Sequence, residues 1–161
     1  MKDPRMATAA VPKDLAQPVF SHILVPTDFS YRSEAAVSYA LQLAKQTHGQ
    51  LTLLHVFPDP SALDYTLSGF PETEQDRAKE EASSLLDKAV AQAKRTFLEI
   101  DSKLRTGLDL RHEILNTAKD ISADLLVLTT HKFAGWKNLL FGSDAEKILQ
   151  QAQCPILILR F

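Results

Sequence analysis

The sequence predicts an α/β domain in which helices cover both faces of a mostly parallel sheet. Three observations predict it. Short apolar runs at residues 22–26, 50–56, 124–129 and 155–159 are separated by amphipathic, helix-like segments. The run at 124–129 is continuously apolar, the pattern of a strand covered on both faces. Strict alternation of strand and helix also calls for right-handed crossovers between parallel strands.

The first run, His22-Ile-Leu-Val-Pro26, ends in a Pro-Thr-Asp turn signal and reads as a buried strand. Ser30 opens a helical pattern that puts Ala36, Ala40, Leu43 and Ala44 on one face, and Gly49 stands where that helix would stop. The second strand is expected over 50–56. Residues 57–71 carry Pro58, Pro60, Gly69 and Pro71 and read as a long loop, the kind that forms a lid or a binding loop. A long helix is expected over 72–97, with Ala78, Ala82, Leu85, Leu86, Ala89, Ala93 and Phe97 as its apolar stripe.

Residues 98–106 alternate apolar and polar and predict a third, more exposed strand, ended by Gly107. Leu110, Ile114, Ala118 and Ile121 mark the next helix. The strand at 124–129 follows, then a segment to 141. Gly142 and Ser143 open a last helix reaching about residue 152, and Pro155-Ile-Leu-Ile-Leu159 is the final strand.

At 161 residues the chain suits one domain. A formal net charge of −2 provides no electrostatic footprint for nucleic acid or an anionic membrane. The single cysteine, Cys154, rules out an intrachain disulfide and fits a reducing compartment. The first residues are polar, Ala-rich and interrupted by Pro4, Pro12 and Pro18, without the apolar stretch of a signal peptide. No apolar run reaches the length of a membrane span. The expectation is a cytoplasmic protein with a flexible tail over 1–19 and one domain over 20–161.

Open parallel sheets bind ligands beyond the carboxyl ends of their strands, where the strand order reverses. Two strands end in polar groups. The first ends Pro26-Thr27-Asp28, where a carboxylate could accept from an adenine amino group or a ribose hydroxyl; equally, Asp28 and Ser30 could cap the following helix. The fourth ends Thr129-Thr130-His131-Lys132. A further feature is Gly142-Ser143, where a glycine and a helix start could meet a phosphate. Ser143 and Glu146 also fit a capping box.

Five strings occur in order: Val25-Pro-Thr-Asp-Phe-Ser30, Leu54-His-Val56, Ala123-Asp-Leu-Leu-Val-Leu128, Leu140-Phe-Gly-Ser-Asp-Ala-Glu-Lys-Ile-Leu149 and Cys154-Pro-Ile-Leu-Ile-Leu159. Together they resemble the universal stress protein family over about residues 20–160. The resemblance implies a Rossmann-like, adenine nucleotide alpha hydrolase-like fold with a five-stranded parallel sheet in the order 3-2-1-4-5. It also implies a homodimer paired through the last strand, Pro155, Ile156, Leu157, Ile158 and Leu159. An alternative for that edge is cover by the tail before His22.

In family members that bind ATP, the resemblance implies adenine and ribose near Pro26, Thr27 and Asp28 and against the backbone at Val56. Their phosphates lie in a pattern of Gly, two residues, Gly, nine residues, then Gly-Ser or Gly-Thr. This chain keeps that spacing, with Thr129 and Lys132 at the first two glycine positions and Gly142 and Ser143 at the last pair. His131 matches a common family residue. A phosphate cradle needs main chain that can take positive φ and lie flush on the ligand, which a β-branched Thr129 resists. Lys132 adds bulk there but also supplies a cation.

Two functions stay open. One is a stress-response accessory or regulatory protein with a degenerate nucleotide pocket, acting by binding rather than turnover. The other is an ATP-binding protein with weak or slow hydrolysis, which would use magnesium with the nucleotide. The histidines make no spaced metal pair, and Ser143 lacks a hydrolase nucleophile's G-x-S-x-G setting. No catalytic residue and no metal site is expected. His55, inside an apolar strand, reads as a structural histidine with a satisfied ring.

Overall fold

A computed structural model describes residues 20–58, 72–129 and 143–160 of the chain. The expected tail, most of the 57–71 loop and the segment from Thr130 through Gly142 lie outside the described residues. The elements run β1 (His22–Pro26), α1 (Tyr31–Thr47), β2 (Gln50–Pro58), α2 (Glu72–Lys94), β3 (Ile100–Gly107), α3 (Leu110–Asp120), β4 (Leu125–Thr129), α4 (Ser143–Gln151) and β5 (Ile156–Leu159). All pairings are parallel, and the sheet order is β3-β2-β1-β4-β5. The chain thus winds outward from β1 in one direction, then crosses back over it and continues on the other side.

The period of two along each strand divides the core into two layers. Ile23, Val25, Leu51, Leu53, Leu125 and Val127 share one cluster with Ala36, Ala40 and Ala44 of α1 and Leu86 and Ala93 of α2. Leu24, Leu54, Val56, Leu126 and Leu128 face the other way, toward Ile114 and Ala118 of α3 and Ile148 of α4. The central strands β1 and β4 are buried along nearly their whole length. Each fully buried Leu or Ile there contributes about 2 kcal/mol from removal of apolar surface from water.

The entry to β1 is fastened to this sheet by Asp124. Its carboxylate accepts the Ser21 amide at 2.7 Å and the His22 amide at 2.9 Å.

Several boundaries differ from the expectation. β2 runs to Pro58, because beyond β1 it keeps pairing with β3, Phe57 opposite Thr106 and Pro58 opposite Gly107. α2 stops at Lys94 instead of 97, since the Ala93 carbonyl takes the amides of both Thr96 and Phe97 and tightens the last turn. In the α2 stripe, Leu85 is 39% exposed, because it lies about 100° around the helix from Leu86, which faces the sheet. Ala78 is exposed one turn before burial begins at Ala82. β3 begins at Ile100, and Leu98 is exposed ahead of it. Pro155 precedes β5; it has no amide to give, and its carbonyl accepts from Leu126.

The stop of α1 also differs. The left-handed residue is His48, at φ 54°, and its amide bonds to the Ala44 carbonyl. Gly49 is required by space: a Cβ there would lie 2.3 Å from the Phe20 carbonyl oxygen.

Candidate functional site

The strand order reverses at β1, which has β2 on one side and β4 on the other. The crevice beyond the carboxyl ends of these strands is where a ligand site forms in open α/β sheets. β1 pairs with β4 at an offset of 102 residues, as in Ile23 with Leu125, and with β2 at an offset of 28, as in Pro26 with Leu54. Carried along the strands, these offsets put Thr27 level with Thr129, and Asp28 level with Val56.

Pro26 closes β1 and is buried. Thr27 extends the ladder by one bond, its amide reaching the Leu54 carbonyl at 2.8 Å. Its buried hydroxyl then organises the turn, accepting from the Phe29 amide and donating to Ser33 Oγ, both at 3.1 Å. Asp28 is half-buried, and its Oδ1 accepts from the Ser30 amide at 3.0 Å. Ser30 is the N-cap of α1, its Oγ accepting from the Ser33 amide. The helix-capping alternative therefore belongs to Ser30, while Asp28 props the turn that leads to it.

Phe29 sits at φ 62°, in the left-handed region that a bulky residue rarely takes. Its ring lies against His55, with centroids 4.5 Å apart. His55 Nδ1 is 2.8 Å from the Thr27 carbonyl oxygen. That contact satisfies one nitrogen of the His55 ring, in line with a structural histidine. Nothing in the sequence signalled the Phe29 conformation or the Thr27 contact, which joins positions 28 residues apart.

Val56 is buried near the end of β2 and paired with Arg105 of β3. Thr129 is the last residue of β4, 5% exposed and opposite Leu159. It has extended strand backbone at the place where the phosphate pattern would start. Ser143 opens α4. His131, Lys132 and Gly142 lie outside the described residues. The structure therefore brings together Pro26, Thr27, Asp28, Val56 and Thr129 at one end of the sheet.

At the sheet's margin, β5 has only β4 beside it among the described residues. Ile156, Leu157 and Leu159 are half-buried, and Ile158 is 42% exposed.

A cavity of about 810 Å³ lies along α3 and α4, lined by Arg111, His112, Lys119, Lys147 and Cys154 among others. It includes none of the residues just described. Burial, and after it the Asp124 carboxylate, raise the Cys154 thiol above its ordinary value, so thiolate chemistry is disfavoured there. Among the described residues no group of His, Cys, Asp and Glu side chains could hold a metal ion. No described helix is long and apolar enough to cross a membrane.

The sequence profile of the universal stress protein family matches residues 20–160. The chain belongs to the universal stress protein family. Universal stress protein YxiE of Bacillus subtilis is 30% identical over 149 residues, covering 88% of this chain and all of that protein. Universal stress protein UspA from Lactobacillus plantarum is similar in structure, with a TM-score of 0.70 at 24% identity over 88% of this chain and 98% of the other. The universal stress protein from Archaeoglobus fulgidus in complex with dAMP has a TM-score of 0.61 at 20% identity, over 87% and 98%. These likenesses agree with the sheet order and with the five sequence strings that carried the resemblance.

Proposed function

We propose that this universal stress protein is a cytoplasmic stress-response accessory or regulatory protein that acts by binding rather than turnover. Its nucleotide pocket keeps the adenosine end and has lost the cradle for the outer phosphates. The adenosine end comprises Pro26, Thr27, Asp28 and the backbone at Val56. The phosphate end is assigned from the family's spacing alone, which falls on Thr129, His131, Lys132, Gly142 and Ser143. An adenine nucleotide with few phosphates suits such a pocket, and the dAMP bound by the Archaeoglobus fulgidus protein supports that ligand class.

The observation that carries this reading is Thr129. A phosphate cradle needs bare, positive-φ main chain pointing amides at the ligand. Thr129 is instead a buried strand residue paired with Leu159. The alternative, an ATP-binding protein with slow hydrolysis and bound magnesium, would have to hold its phosphates through Lys132 and the start of α4.

β5 supports a homodimer in this reading. An edge strand whose apolar residues are all partly exposed is completed when a second copy pairs with it about a two-fold axis.

Calorimetric titration with AMP and with ATP plus magnesium tests the pocket. The expected result is that the two bind within about tenfold of each other, with no phosphate released. ATP binding about a hundredfold tighter than AMP, or steady turnover, would reject the reading in favour of the alternative.

A further inference from the structure

We propose that His55 is a positioning residue for the adenosine end, fixing where Asp28 stands relative to Val56. The proposal rests on the reading that these two segments meet the adenosine.

The geometry is specific. A carbonyl oxygen only accepts, so the 2.8 Å contact makes His55 Nδ1 the donor to Thr27. The same ring stacks, tilted by 31°, on the ring of Phe29. His55 therefore grips the residue before Asp28 by its carbonyl and the residue after it by its side chain. Asp28 is the residue between these two grips. Its own Oδ1 is engaged with the Ser30 amide, so the carboxylate is oriented from within the turn as well.

The turn needs such a grip. Phe29 occupies a left-handed conformation that a phenylalanine takes only when its surroundings impose it. The Thr27 hydroxyl on the Phe29 amide supplies one restraint, and the His55 Nδ1 bond to the Thr27 carbonyl supplies the second, with the ring contact filling space beside it. On the other strand, His55 is the immediate neighbour of Val56, whose backbone is locked in the ladder opposite Arg105. One side chain thus transmits the position of β2 to the β1–α1 turn. The main-chain ladder alone does not do this, because the β1–β2 pairing ends at Pro26 and a single further bond from the Thr27 amide.

The test uses the full chain and AMP, with four proteins: wild type, His55→Asn, His55→Phe and His55→Leu. An asparagine amide nitrogen takes the place of Nδ1 and can still donate to Thr27. Phenylalanine keeps the ring and loses the donor, and leucine loses both. Affinity is read from amide shifts during AMP titration, and melting temperature is recorded for every variant. The expected result is a loss of about fivefold or more in His55→Leu and His55→Phe, with His55→Asn within about threefold of wild type whatever the order of melting temperatures. His55→Leu binding as wild type does, or His55→Asn falling with His55→Leu, would overturn the proposal. Should His55→Leu fail to fold, the comparison of His55→Asn with His55→Phe decides in the same way. Wild type that binds no AMP at millimolar concentration rejects the adenosine-end reading separately. The positioning claim is then judged on the free proteins. Turn amides from Thr27 to Ser30 that shift in His55→Phe and return in His55→Asn support it, and amides that stay put overturn it.

Discussion

The Gly49 α-carbon sits so close to the Phe20 carbonyl that a methyl group on it would lie 2.3 Å from that oxygen. The obstacle is backbone, and the same strand entry is held by the Thr47 hydroxyl, which donates to the Phe20 carbonyl at 2.9 Å, and by the Gln50 amide on the Ser21 carbonyl at 2.8 Å. Neither side can yield cheaply. Gly49→Ala is therefore expected to destabilise the domain by about 2 kcal/mol, in the range of overpacking in a rigid site. Urea unfolding of the two proteins checks it, and an unchanged midpoint would show that the β1 entry relaxes freely.

The N-cap of α3 predicts a pH effect of known sign. Partial burial raises the Asp109 carboxyl, but the Arg111 guanidinium and the amides of His112 and Arg111 outweigh it and leave the pKa below its ordinary 3.8. A carboxyl lowered by folding stabilises above its unfolded value, and that stability is lost as pH falls through the lower, folded value. Since Asp109 is about half exposed in its side chain (47%), solvent screens the pair. Asp109→Asn should then cost about 0.5 kcal/mol at pH 7, with the difference shrinking below pH 4. Parallel urea titrations at pH 7 and pH 3 measure it. A difference that grows toward acid would reverse the sign and reject the assignment.

How much of this was legible in the sequence differs by element. β1, β4 and the apolar faces of α1 and α3 could be read directly, because burial on both faces or along one stripe leaves a periodic mark. The end of α1 could not. His48 takes the left-handed cap, and Gly49, the residue that looks like a stop, is reserved for a contact with Phe20, far away in sequence. The site is similar. Asp28 and Thr129 stood out as polar strand ends, but the turn between β1 and α1 is built by Thr27 and His55, through contacts that only strand pairing creates. Spacing along the chain carries no trace of a cross-strand bond.

The edge strand gives a third expectation. Ile158 is the most exposed residue of β5, at 42%. Pairing with a second copy would bury it, whereas a charge there would oppose strand addition. Ile158→Lys should convert a dimer to a monomer while changing the stability of the isolated fold by no more than about 0.5 kcal/mol. Sedimentation velocity distinguishes the species. A wild-type protein that sediments as a monomer, or a variant that remains dimeric, would remove β5 as the interface.

The last expectation concerns the two positions that separate the functional readings. Thr129→Gly removes a buried side chain from a strand, so the variant should lose about 1–2 kcal/mol of stability. If side-chain bulk and strand backbone are what bar the outer phosphates, Thr129→Gly with Lys132→Gly should nevertheless bind ATP tighter, by about tenfold, while AMP affinity stays put. The single variants divide the cause. Should Lys132 hold phosphate by its charge, Lys132→Gly alone weakens ATP binding; should it obstruct, the same change strengthens it. Isothermal titration of ATP and AMP against all three variants reads both ligands on one scale. A double variant with unchanged ATP affinity would mean that the missing glycines are not the barrier, and the degenerate-pocket reading would fall with that result.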